Sequence, residues 1–175
     1  VTESIAKQDL DFLKAPPPAD DPLEVARSHE RLMALFAFAR AAAEAPALEA
    51  LWERAAQAAA RSLAADRAFV LRPVGKAGTW EPFRPSAQGL DAALARAPIS
   101  SSVAAFVRER GDSVLCRAPG ADRRFAGSRS LAAGAVSSVL CVPVRAGGTV
   151  LGALYADRIG DAPPFGRSDL ELAIA

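Results

Sequence analysis

The sequence predicts an α+β domain built on a mainly antiparallel sheet. Apolar residues recur first with a helical period and then in short, strand-length runs. Two of those runs, Val136 to Val144 and Thr149 to Asp157, are joined through Gly147 and Gly148, which is a hairpin signal. The predicted order is helix, helix, strand, strand, helix, three strands, helix, without internal repeats, and a mixed order with hairpins marks the α+β class.

The elements follow one by one. Leu32, Leu35, Phe36 and Ala39 fall at i, i+3, i+4 and i+7, so a helix is expected over about 23–44, with Pro22 suited to its first turn. Pro46 separates it from a second helix striped by Leu48, Leu51, Trp52, Ala55, Ala59 and Leu63. Ala68 to Leu71 reads as a buried strand, and Thr79 to Arg84 as a weaker one after a Gly-rich turn. Gln88 to Pro98 is ambiguous, with Leu90, Leu94 and Ala97 able to form a short helix. Ser100 is a candidate N-cap for a helix carrying Val103, Phe106 and Val107, which Gly111 would close. Ser113 to Cys116 is another strand, and Pro119 to Gly134 a long loop with one helical turn near Arg123 to Ala126. The hairpin strands are almost continuously apolar, which places them at the centre of the sheet with both faces covered. Pro163, Pro164 and Phe165 precede a terminal helix.

The 175 residues fit one domain with extensions. The first residues read differently from the rest. Val1 to Lys14 holds one short apolar cluster, and Ala15 to Pro22 contains three consecutive prolines that favour extended geometry. Residues 1–22 are therefore expected to be an N-terminal segment and linker, with the domain at 23–175. The linker, and a last helix from Ser168 without a C-cap, lead us to expect other domains of the same polypeptide upstream and downstream. Twenty-one basic against 20 acidic residues give a net charge of +1, which argues against direct nucleic-acid binding. No apolar run is long enough to span a bilayer, and Val1 to Lys14 is not a signal peptide, so we expect a cytoplasmic protein without membrane contact. Forty-one Ala, 18 Arg, three Lys and no Asn suggest a GC-rich bacterial source.

Enzyme motifs are mostly missing. His29, the one histidine, sits in the first helix, and there is no Cys-x-x-Cys, phosphate-binding glycine loop or calcium-loop spacing. We expect no catalytic residues and no metal. Cys116 and Cys141 read as buried thiols, although a redox role remains open if their Cα atoms lie within about 4.4–6.8 Å. The run Asp122-Arg123-Arg124-Phe125, with Ser128, Arg129 and Ser130, is either a solvated loop or part of a ligand lid. The stripe Leu32, Leu35, Phe36 and Ala39 is either core or a dimer-helix seam.

The ordered set of segments Asp66 to Leu71, Ile99-Ser100, Gly111 to Leu115, Asp122 to Phe125, Ser138 to Val144, Val150 to Asp157 and Phe165 to Leu170 resembles a GAF domain over about residues 25–175. The resemblance implies a PAS-related, six-stranded antiparallel sheet, with terminal helices on one face and short helices and loops enclosing a small-molecule pocket on the other. It implies a regulatory sensor module and no enzyme. The family's Asn-Lys cyclic-nucleotide motif, the Cys beside His that attaches bilins and a pocket His for haem all lack counterparts here, so the ligand class stays unidentified. Candidate pocket residues are Cys116, Arg124, Phe125, Ser130 and Ser137. Ser4 to Lys14, ahead of the proline run, is similar to the tail that follows an FHA domain in bacterial signalling and transcription regulators. The expected function is small-molecule sensing in a homodimer, relayed through the terminal helices. A ligand-free dimerisation module is the alternative.

Overall fold

The computed structural model describes residues 2–5 as backbone and 22–74, 79–83, 99–119, 122, 125, 136–146 and 148–175. In chain order the elements are β1 (Thr2–Ile5), α1 (Pro22–Ala43), α2 (Leu48–Ser62), β2 (Arg67–Val74), β3 (Thr79–Phe83), α3 (Ser101–Arg110), β4 (Ser113–Arg117), β5 (Val136–Ala146), β6 (Thr149–Ile159) and α4 (Arg167–Ile174). The ambiguous stretch at 88–98 and the helical turn expected at 123–126, Phe125 apart, lie outside the described residues.

Every pairing in the six-stranded sheet is antiparallel, in the order β1-β4-β5-β6-β2-β3. Five strands are those read from the residues. The sixth comes from Thr2–Ile5, within the segment expected to precede the domain. The hairpin β5–β6 lies inside the sheet, as its apolar strands require, and Gly148 in its turn has φ +83°.

Side chains alternate across the sheet, so each strand feeds two cores. Phe69, Leu71, Val114, Cys116, Val139, Cys141, Ala153 and Tyr155 face α3 and pack against its Val103, Ala104 and Val107. Leu115, Leu140, Val142 and Ala156 point the other way and meet Leu63, Phe165 and Leu170. On that second face α2 crosses β2 and β6, α4 covers β4 and β5, and α1 lies on α2.

Local chemistry explains the element ends. The Ser100 hydroxyl accepts from Val103 N at 3.3 Å and starts α3. Gly111, at φ +68°, ends it with its N–H on Val107 O, a conformation that a Cβ would penalise. The Asp169 carboxylate turns back to accept from Gly166 N at 2.8 Å and opens α4. Gly152 in β6 answers a different constraint: a Cβ there would stand 2.3 Å from Leu71 O on β2 and 3.7 Å from the Trp52 ring. We expect Gly152→Ala to cost about 1–3 kcal/mol through overpacking of that strand pair. Urea unfolding should show a lower midpoint at unchanged m-value.

Candidate functional site

The face covered by α3 carries a buried polar chain. Arg67 opens β2 directly opposite Asp157 of β6, and both are sealed from water. Their contact is bidentate, with Nε to Oδ1 at 2.8 Å and Nη2 to Oδ2. Burial pushes the Asp157 carboxyl up from its ordinary value, against the pull of Arg67. Burial also works against the Arg67 cation, but the hydrogen bond and charge of Asp157 outweigh it and keep the guanidinium protonated. The Tyr155 hydroxyl, two residues along the same face, accepts from Ser100 N at 3.2 Å. The strand that carries Asp157 is thus tied to the N-terminus of α3. Burial raises the Tyr155 phenol far above its ordinary value, so it stays neutral.

The pocket candidates separate on this framework. Cys116 and Phe125 come together on the α3 face. Cys116 is fully buried with Sγ 3.9 Å from Asp122 Oδ2, and Phe125 meets Phe106 edge-on at 6.0 Å. Phe125 N also closes a turn on Asp122 O at 3.0 Å. Ser137 does not join them: its hydroxyl is directed at Arg158 O (3.2 Å) and Ala162 O (3.3 Å), at the end of the hairpin. Its strand is bulged there, which turns a nominal pocket position toward the β6–α4 connection. Arg124 and Ser130 lie outside the described residues. Cys116 and Cys141 share the face but sit diagonally, Cys116 opposite Val139 and Cys141 opposite Val114. Diagonal neighbours are about 7–8 Å apart, beyond the usual disulfide span. Neither is disulfide-bonded, and burial drives the Cys141 pKa well above its ordinary value. Among the described residues no group of His, Cys, Asp and Glu could hold a metal ion.

The opposite face holds a fixture that the sequence reading missed. Phe165, just ahead of α4, is gripped by three strands. Its N–H donates to Ser138 Oγ of β5 at 3.1 Å, and its carbonyl accepts from Arg117 Nε of β4 at 2.9 Å. The Arg158 guanidinium of β6 lies over its ring at 4.3 Å while Nη2 reaches Leu63 O at 2.7 Å. The available signal was polar residues at the ends of apolar strand runs, which are buried only with partners. Beside this fixture an apolar groove of about 750 Å³ runs between α2 and α4, floored by Val70, Val142 and Leu154 and walled by Trp52 and Ile174.

The dimer-seam candidates divide between two sides of α1. Leu32 and Phe36 are 63% and 65% exposed, and Ala39 is also exposed. Leu35 instead turns inward and lines the groove, because it lies about 100° from Phe36 around the helix.

The family pattern described as the GAF domain matches residues 47–175. The chain belongs to the GAF family. No curated protein matches its sequence. Solved GAF structures share its architecture. That of a phosphoenolpyruvate-protein phosphotransferase from Coxiella burnetii superposes with a TM-score of 0.62 at 18% identity, over 82% of this chain and 86% of that one. The A. aeolicus nlh2 GAF domain, in an inactive state, gives 0.58 at 13% identity over 83% and 86%. A GAF domain/HD domain protein from Geobacter sulfurreducens gives 0.52 at 17% over 69% and 83%. At these identities the likeness is one of fold: an antiparallel sheet with helices on both faces. No helix among the described residues is long and apolar enough to cross a membrane.

The buried pair makes a direct prediction. Asp157→Asn should cost about 3–5 kcal/mol, because it strands the Arg67 charge. Replacing both partners, as Arg67→Met with Asp157→Leu, should cost less than the single change. Chemical denaturation of the three proteins tests this ordering.

Proposed function

We propose that this chain is a non-catalytic regulatory GAF module of a bacterial signalling or transcription regulator. It acts as a homodimer joined along α1 and passes ligand occupancy on the α3 face to α4. The observation carrying this reading is the end of β4. Cys116 faces the α3 side beside Asp122, and the next residue, Arg117, holds Phe165 ahead of α4 on the other side. A small shift at the end of β4 therefore acts on both sides of the sheet at once. A ligand biases the helix only by its affinity difference between two arrangements.

The dimer rests on α1. Val25, Leu32, Met33 and Phe36 are all largely exposed on a helix whose inner side already packs on α2. Val25, Leu32 and Ala39 repeat at seven residues, the spacing of a two-helix seam. Together they offer on the order of 400 Å² of apolar surface per protomer, in the range where a patch marks an interface. The name of the similar Geobacter structure, which joins GAF and HD domains, is consistent with neighbouring domains in one polypeptide. One observation favours the alternative of a ligand-free dimerisation module: Cys116, Phe125 and Tyr155 are packed shut against Val103 and Val107.

Native mass spectrometry separates these readings. A dimer carrying extra mass supports sensing, and a dimer without it shifts the assignment to the structural module. A bare monomer removes the α1 seam. Phe36→Glu should weaken the dimer at least about tenfold, since it buries an unpaired charge at the seam, with sedimentation as the readout.

A further inference from the structure

Arg158, near the end of β6, stands between two helices that rest on different strands. α2 crosses β2 and β6, α4 covers β4 and β5, and the apolar groove parts them along the sheet. The guanidinium closes that gap at one end. Nη2 donates to the carbonyl of Leu63, the C-cap residue of α2, at 2.7 Å. Nη1 donates to Pro163 O in the approach to α4, and Cζ lies 4.3 Å from the centre of the Phe165 ring.

Each attachment suits an arginine. The last carbonyls of a helix lack intrahelical partners, and a cation there meets the negative end of the helix dipole. Ala64 is left-handed at φ +45°, so α2 stops at Leu63 and its carbonyl takes the guanidinium. A flat fork can reach two carbonyls and stack on a ring at once, whereas a lysine ammonium is a point charge. The backbone that carries Arg158 is pinned as well. Asp66, in the turn after α2, donates its N–H to Asp157 O at 3.1 Å and accepts from Ile159 N at 2.7 Å. Ser137 Oγ donates to Arg158 O at 3.2 Å. Leu63, Phe165 and Leu170 also share a core, but apolar packing is non-directional and lets helices slide. Paired hydrogen bonds from one rigid fork do not.

We propose that Arg158 is a strut that makes the end of α2 and the entry of α4 move as one body. It gives the domain a direct route from its first helices to its last, one that bypasses the α3 face. α1 packs on α2, so a displacement of α1 by whatever engages its outer side reaches α4 through this side chain. Arg158 is thus a positioning residue for α4. The strut depends on neither the proposed ligand nor the proposed α1 seam.

Amide exchange on the full chain tests the coupling. Ala60→Gly loosens the last turn of α2, where Ala60 O accepts from Ala65 N at 2.9 Å, without touching Arg158. It should accelerate the Leu170 amide of α4, which is bonded to Gly166 O, about fivefold and leave the β5–β6 hairpin amides unchanged. The same change in the Arg158→Lys background should leave the Leu170 amide at the rate of that background. An unmoved Leu170 amide in the Ala60→Gly protein overturns the strut. Equal acceleration in both backgrounds assigns the coupling to the shared apolar core and overturns it too, as does equal acceleration of the hairpin amides, which marks global loosening. Should Arg158→Lys fail to fold, the single Ala60→Gly protein decides: Leu170 must accelerate while the hairpin does not.

Discussion

The architecture depends on the β5–β6 hairpin being buried on both faces. Its alternating side chains supply one core beneath α3 and another beneath α2 and α4, so neither layer of helices could pack without it. Val139, Cys141, Ala153 and Tyr155 serve the first core, and Leu140, Val142 and Ala156 the second. A one-residue slip would exchange the two sets and bring Asp157 and Ser138 to the wrong sides. Gly152 is part of the same constraint, since the hairpin approaches β2 too closely to admit a side chain there.

The buried polar groups sit where that hairpin ends. Asp157 and Ser138 are both fully buried at the same end of neighbouring strands, and each has a specific partner. One ties β6 to β2 through Arg67, and the other ties β5 to the entry of α4 through Phe165. Buried ion pairs add little net stability, but they penalise every arrangement in which the partners part. Here they fix the register of the sheet relative to α3 on one side and α4 on the other.

Much of this was legible in the residues. The helical stripes, the hairpin, the Ser100 cap and the Gly111 terminus each follow from local rules, and the structure agrees with them. The sixth strand was not legible. Thr2–Ile5 lacks a long alternating pattern, and its pairing comes from the vacant edge of β4, a tertiary fact. The Phe165 grip was hidden for a similar reason, because two of its three contacts engage backbone groups of Phe165 and leave no trace in residue type. The proposed pocket was only half readable: Cys116 and Phe125 converge, whereas the bulge in β5 diverts Ser137.

The grip on Phe165 bears on how such a domain diversifies. The entry point of α4 is set by a hydroxyl, two guanidinium groups and a ring, all at or before residue 165. The direction in which the helix leaves is therefore inherited from the sheet and owes little to the helix's own composition. Residues past Gly166 are free to drift, provided that Asp169 keeps its cap and Leu170 its place in the core. Interchangeability of this kind would let one GAF body be joined to unrelated neighbouring domains without redesigning the joint.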